Sequence, residues 1–188
     1  MPLKERIYDF WRFLHEDTWQ AWSASCILII LSIKLALFPL LAALTGSPLP
    51  LVVVESCSMH HGGQFEAWWN ANGPWYETRN ITKETFAKFP FKNGITKGDI
   101  IFVISAQKVE QGDAIIFTAP TKYPVIHRII VEQPLQTKGD NNPDQLSFEQ
   151  NITEEQKRGK AVFKIPLLGW VKLIFFEPLR PRNERGFC

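Results

Sequence analysis

Residues Ala24 to Leu44 form an apolar run interrupted by Ser25, Ser32 and Lys34, with Pro39 near its far end. At helical rise the run reaches about 30 Å, the thickness of a bilayer's hydrocarbon layer. It predicts a transmembrane anchor over residues 24–45. Lys34, near the middle, costs about 2.5–3.5 kcal/mol on insertion scales and is expected to snorkel or to pair with a partner subunit. A cleaved signal peptide is the competing interpretation. The flank of residues 1–23 is too long and too acidic for it, and Ala42-Ala43-Leu44-Thr45 makes a poor cleavage site.

Orientation follows from the basic residues at either end. Lys4, Arg6 and Arg12 precede the run, whereas no Lys or Arg occurs from Leu35 through Thr78. The basic flank is expected to stay in the cytoplasm and everything beyond Thr45 to lie outside, as in a single-pass cell-membrane protein. Leu3, Ile7, Phe10, Trp11 and Leu14 recur at helical spacing, which predicts an amphipathic helix on the inner leaflet or against a partner. Two sequons, Asn80-Ile81-Thr82 and Asn151-Ile152-Thr153, fall in the portion assigned outside.

A chain of 188 residues holds one ordinary domain besides an anchor. Its net charge of +2, with scattered basic residues, gives no electrostatic case for nucleic acid. Seven tryptophans and fourteen phenylalanines exceed the needs of one small core, an excess often found at the lipid–water interface. Cys26, Cys57 and Cys188 form no CxxC pair and are expected to be three unpaired thiols.

Beyond the anchor the chain reads as short strands. Leu49–Val54 is an apolar run. Lys97-Gly98-Asp99 opens Ile100–Ile104, and Gln111-Gly112-Asp113 opens Ala114–Phe117, so one turn-plus-strand unit occurs twice. Pro124–Val131 and Lys160–Ile165 are further strands. The expected fold is mainly β, a barrel or sandwich spanning 46–178, followed by a tail of 179–188. Residues 62–94 are an aromatic insertion too long for a bare loop, expected to fold locally and to contact a membrane surface or partner. A capping box at Thr153–Gln156 predicts a short helix to Arg158, ended by Gly159. Pro166–Pro178 is too short to cross a bilayer and is expected either on the outer leaflet or as a buried edge strand.

Ser56-Cys57-Ser58-Met59 closes the first apolar run, followed by Ile126-His127-Arg128 and by Thr137-Lys138-Gly139-Asp140-Asn141-Asn142-Pro143-Asp144. A serine hydroxyl needs a base and an oxyanion site to act as a nucleophile, and these segments supply a histidine and two aspartates. Taken singly, Ser58 reads as a turn serine, His127 as a strand histidine, and Asp140 and Asp144 as turn formers. Three other options are weaker. Lys122 is a possible serine–lysine base. Cys57 as nucleophile would point away from Ser58 in an extended segment. His60 and His61 as metal ligands have only Glu55 or Glu66 as neighbouring offers.

In this order of segments the chain resembles type I signal peptidases of the archaeal and endoplasmic-reticulum branch, over about Leu51 to Gly169 without the aromatic insertion. That branch shows Ser-x-Ser-Met, then His-Arg, then Gly-Asp-Asn and a later Asp; the bacterial branch has lysine in place of the histidine. Where the family often has proline two residues after the methionine, this chain has His61. The resemblance implies a signal-peptidase-like β domain, with Ser58 as nucleophile and His127 as general base. It implies Asp144 as the acid orienting His127 and Asp140 as a structural carboxylate. The Ser58 amide and the Ser56 side chain would form the oxyanion site, where losing one donor costs about 3–4 kcal/mol. The implied reaction is hydrolysis of secretory preproteins at their signal peptides, without metal or organic cofactor. Implied partners are the preproteins, the bilayer, and translocation-channel or accessory subunits. A catalytically inactive membrane-anchored β module and a metal hydrolase built on His60, His61 and His127 are the rival expectations.

Overall fold

The computed structural model of the chain describes residues 2–121 and 123–188, Asn183 by its backbone alone. The chain divides after Leu44 into two units. In the first, helix α1 (Leu3–Leu14) buries none of its residues. A continuous helix follows over Trp19–Thr45, 27 residues long, with a mean hydropathy of 2.6 in its most apolar stretch. It is long and apolar enough to cross a membrane. The helix starts ahead of the apolar run because Thr18 caps it, its hydroxyl accepting from the Ala21 amide at 3.3 Å. It consists of α2 (Trp19–Ser32), a π-helical turn (Ile33–Leu37) and α3 (Phe38–Thr45). The Phe38 amide reaches the Ile33 carbonyl, five residues back. Pro39 brings no N–H to the next position, so the widened turn sits where the regular ladder loses a donor. Lys34 lies exposed within that turn.

The second unit, Thr45–Cys188, is built on a six-stranded antiparallel sheet in the order β1-β2-β6-β3-β4-β5. The strands are β1 (Leu51–Val53), β2 (Ile100–Ile104), β3 (Ala114–Phe117), β4 (Val125–Val131), β5 (Gln136–Lys138) and β6 (Lys157–Ile165). Register shifts interrupt the β2–β6, β3–β6 and β4–β5 ladders, and such bulges bend a sheet. Helical residues outnumber strand residues over the described chain, so the mainly-β expectation reduces to an antiparallel sheet accompanied by helices. Central strand β3 is buried at every position. Ala114 and Ile116 enter one core with Val54, Met59, Ile101 and Val103, while Ile115 and Phe117 enter a second with Ile129, Leu135 and Ile152. That two-sided burial explains its uninterrupted apolar sequence.

The repeated Gly-Asp unit is a physical repeat. Gly98 and Gly112 have φ of +91° and +95°, values open chiefly to glycine. Asp99 accepts from the Thr96 amide at 3.0 Å and Asp113 from the Glu110 amide at 2.9 Å. Each carboxylate also meets a β6 lysine, Lys164 at 3.0 Å and Lys160 at 3.1 Å.

Several expectations are corrected. The capping box forms, with the Thr153 amide on Gln156, but it closes only one 3-10 turn (Glu154–Gln156) before β6 begins at Lys157. Gly159 lies inside that strand, where a Cβ would come within 2.3 Å of Val103; its small size serves close packing, not helix termination. The insertion folds as α4 (Phe65–Glu77) and α5 (Lys83–Phe86). Trp68, Trp69, Tyr76 and Phe86 are buried against Ile130, so its aromatic excess makes a core and not an outward face. Pro166–Pro178 is not a buried edge strand: it carries α6 (Trp170–Phe176), with Leu173 buried and Val171, Ile174 and Phe175 exposed. Cys57 and Cys188 are joined in a disulfide across 131 residues of sequence, leaving Cys26 free.

Candidate active site

Ser58 sits in a turn just past β1, at half-buried depth. Met59 pins that turn: its side chain is 1% exposed, its carbonyl accepts from the Ile95 amide at 2.8 Å, and its sulfur lies 3.4 Å from the Asp140 amide. The Ser58 hydroxyl is 3.2 Å from that of Ser56. Among the described residues the Ser58 amide has no protein acceptor, leaving it able to donate to a ligand.

The Gly139–Asn142 loop leads out of β5 and touches both sides of the site. The Asn141 amide donates to the Ser58 carbonyl at 2.7 Å, and its side-chain amide donates to the Cys57 carbonyl at 3.1 Å. At the other end of the loop, a Cβ on Gly139 would lie 2.8 Å from His127 Nε2 and 2.6 Å from Asn142 Nδ2. Glycine is required there because the imidazole packs on its α-carbon. One short loop thus carries the serine's backbone and bounds the histidine's Nε2.

His127 lies in the middle of β4, opposite Ile115, and is 2% exposed. Its Nδ1 is 2.5 Å from Glu149 Oε1. Glu149 is fully buried at the end of a 3-10 turn (Ser147–Glu149). Its Oε1 also accepts from the Thr137 hydroxyl at 3.1 Å, and its Oε2 accepts from the Leu146 amide at 2.7 Å. Three donors therefore fix the carboxylate. With Nδ1–H donated to an acid, the neutral ring presents an unprotonated Nε2, the tautomer a general base needs. Among the described residues no Ser58–His127 hydrogen bond forms; the serine hydroxyl faces Ser56 instead. Catalytic hydrogen bonds are often loose without substrate.

Glu149 replaces the acid expected from the resemblance. Asp144 is exposed, its Oδ1 accepting from the Trp75 indole at 2.8 Å; that hydrogen bond, with one from the Gln145 amide, lowers its pKa. Asp140 is fully buried and binds Arg128 Nη2 at 2.7 Å, His61 Nε2 at 2.8 Å and the Tyr76 hydroxyl at 2.9 Å. Burial alone would raise its pKa, but the Arg128 charge and the hydrogen bonds from His61 and Arg128 hold it well below the usual carboxylate range. Tyr76 is pushed well above its ordinary value by burial and by the Asp140 charge.

His61 therefore serves the loop. It stacks on Trp68 with ring centroids 3.7 Å apart and its Nδ1 lies 2.9 Å from the Lys92 carbonyl. His60 pairs with Thr96, and burial followed by the neighbouring His61 lowers its pKa. Among the described residues no three His, Cys, Asp or Glu side chains form a metal-binding group. Lys122, the alternative base, lies outside the described residues. Cys57 is committed to its disulfide.

Sequence reasoning missed Lys138. Its ammonium is buried, donates to the Gly139 carbonyl at 3.0 Å, and lies 4.8 Å from the Trp75 ring centre and 5.2 Å from that of Tyr76. Desolvation, opposed by the Asp140 and Glu149 charges, brings its pKa down to about 8. Nothing in the local sequence marks it, since Gln136-Thr137-Lys138 becomes a strand only by pairing with β4. No protein-family model matches this chain, and no curated protein matches it.

Proposed function

We propose that this chain is a membrane-anchored serine endopeptidase of the signal-peptidase type, cutting secretory preproteins. Ser58 is the nucleophile, His127 the general base and Glu149 the acid that orients it. The observation that carries the reading is the arrangement around the Gly139–Asn142 loop. A buried Glu149 fixes the tautomer of His127, whose Nε2 abuts Gly139, while Asn141 two residues on holds the backbone of Ser58.

In this reading a substrate lies extended along a strand edge, held by main-chain hydrogen bonds. The Ser58 hydroxyl turns from Ser56 towards His127 as its oxygen attacks the scissile carbonyl. His127 Nε2 takes the hydroxyl proton, and Glu149 stabilises the imidazolium without taking a proton itself. The free Ser58 amide and the Ser56 hydroxyl donate to the oxyanion. His127 returns its proton to the leaving amine, and water releases the acyl group by the same route. A signal-peptidase-like barrel is the fold this reading implies, and the bulged six-stranded sheet supports it.

The Trp19–Thr45 helix supports a single-pass anchor. The Cys57–Cys188 disulfide supports placing Thr45–Cys188 on the extracytoplasmic side, since disulfides persist in oxidising compartments. That agrees with Lys4, Arg6 and Arg12 remaining in the cytoplasm. The test is cleavage of a fluorogenic signal-peptide substrate by the full chain in detergent. Turnover that disappears in Ser58→Ala and in His127→Ala, with both variants folded, is the expected result. A folded parent without turnover on any signal-peptide substrate overturns the reading in favour of a binding module.

A further inference from the structure

Residues 167–188 fold back along the segment that carries Ser58, and they hold it through side chains that the peptidase mechanism does not use. Glu55 is the first anchor. Its carboxylate pairs with Arg180 and, at 3.1 Å, with Lys172, while Arg180 Nη1 also donates to the Glu55 carbonyl at 3.1 Å. The Cys57–Cys188 disulfide is the second anchor, one residue before Ser58. The other end of the segment is fastened to the Gly98 turn. The Gly169 amide donates to the Gly98 carbonyl at 2.7 Å, and a Cβ on Gly98 would come within 2.1 Å of the Trp170 ring. Lys97, 2% exposed, lies 2.8 Å from Glu177 Oε1 and donates to the Glu184 carbonyl at 2.7 Å. Phe187 covers Trp170 with ring centroids 4.3 Å apart.

The Cys57–Ser58 peptide is thus held from two directions. Asn141 takes the carbonyls of Cys57 and Ser58, and the folded-back segment takes the side chains of Glu55 and Cys57. We propose that 167–188 is a positioning strap for the Ser58 turn and that the Cys57–Cys188 bond locks it. Glu55, Cys57, Arg180 and Cys188 are then positioning residues, and peptidase turnover depends on the oxidation state of this pair. The inference rests on Ser58 being the nucleophile. Opening the lock needs a thiol reductant. A small dithiol attacks one sulfur of the bond to give a mixed disulfide; its second thiolate closes the cyclic disulfide of the reagent. Two electrons pass to the protein, and Cys57 and Cys188 leave as thiols once protonated. The Asn141 contacts survive, but the strap is held only by ion pairs at Glu55 and by the Gly98 turn. A displacement of the nucleophile by about 1 Å costs on the order of a hundredfold in rate.

The experiment uses the full chain with Cys26→Ser, so that the disulfide is the sole source of new thiols. It is assayed in detergent before and after dithiothreitol, with thiols counted by a chromogenic disulfide reagent. Expected is a fall in kcat of about a hundredfold as two thiols appear, with KM and cooperative unfolding retained, and recovery on reoxidation with oxidised glutathione. Cys57→Ser with Cys188→Ser is expected to match the reduced protein and to ignore dithiothreitol. Full kcat in reduced protein with two titrated thiols overturns the proposal, as does a loss of KM, kcat and cooperative unfolding together. Amide hydrogen exchange at His60, whose N–H donates to the Cys57 carbonyl at 3.0 Å within the Ser58 turn, gives a readout independent of activity. Exchange there that rises at least tenfold on reduction, with β2, β3 and β6 unchanged, upholds the strap even if no form cleaves peptide. In that case only the peptidase reading fails. Unchanged exchange overturns the strap whatever the activity.

Discussion

Replacing Glu149 by Gln tests whether this carboxylate sets the working tautomer of His127. The side chain has two oxygens with different duties: Oε1 serves His127 Nδ1 and the Thr137 hydroxyl, and Oε2 serves the Leu146 amide. Glutamine keeps one oxygen and turns the other into a donor. If its oxygen stays on the Leu146 amide, its NH2 faces Nδ1, which must then accept. The ring proton moves to Nε2, and the base is lost. If its oxygen faces His127, its NH2 meets the Leu146 N–H, leaving buried donors unsatisfied at about 1–3 kcal/mol. The first arrangement avoids that penalty and is the one expected. In serine–histidine–acid hydrolases the wrong tautomer lowers kcat by about 10⁴-fold, or about 5.5 kcal/mol in the barrier. Asp144→Asn removes only a charge on the exposed Trp75 contact and is expected to change kcat by less than threefold. Initial rates on a signal-peptide substrate, with thermal melts on both variants, decide the matter. A folded Glu149→Gln protein within tenfold of the parent would refute the tautomer argument; a 10⁴-fold loss in Asp144→Asn would return the acid to the position first expected.

Three further outcomes follow from the same geometry. Asp140→Asn leaves Arg128 buried without its countercharge and is expected to cost about 3–5 kcal/mol in denaturant unfolding. Because the folded pKa of Asp140 is depressed, its stabilisation is fully present above the ordinary value near 4. It is lost as pH falls through the folded value, so the parent's acid-unfolding limb is expected to be steeper than that of the variant. Lys138 is a cation whose folded pKa of about 8 lies below its ordinary 10.5. The folded state sheds that proton first, and the burial penalty is present below pH 8 and fades as pH rises to 10.5. Lys138→Met is expected to gain up to about 3 kcal/mol at pH 7 and to lose most of the advantage by pH 10, as read from urea midpoints at both values. Gly139→Ala sets a methyl 2.8 Å from His127 Nε2. It is expected to lower kcat about a hundredfold with a melting temperature within a few degrees of the parent; an unaltered kcat would mean that the ring has room to retreat.

The parts legible in the sequence are those fixed by near neighbours in the chain. The Gly98-Asp99 and Gly112-Asp113 turns announced β2 and β3 because glycine backbone freedom and an aspartate cap act within four residues. The apolar run announced the Trp19–Thr45 helix, although its true start came from a cap at Thr18, ahead of the apolar residues. Strand β5 was not legible: Gln136-Thr137-Lys138 has no apolar alternation, and it becomes a strand only by pairing with β4. The aromatic residues of 62–94 were visible as a group but not their direction. That depends on Ile130, Arg128 and Asp140, which lie on β4 and in the loop after β5.

The acid on His127 shows where local reasoning ends. The resemblance implies an aspartate several residues after Gly139-Asp140, and so points to Asp144. In this fold the loop's own aspartates are engaged elsewhere, Asp140 by Arg128 and Asp144 by Trp75. The histidine is served instead from the 3-10 turn at Ser147–Glu149. A glutamate there caps the amide of Leu146 with one oxygen and still reaches Nδ1 with the other. The extra methylene and the position on the turn make one arrangement. Moving the carboxylate back by shortening Glu149 to Asp sacrifices either the cap or the imidazole contact. Residue type alone therefore does not identify an orienting acid; reach from a fixed backbone does, and that reach is set by how residues 141–149 return to β4.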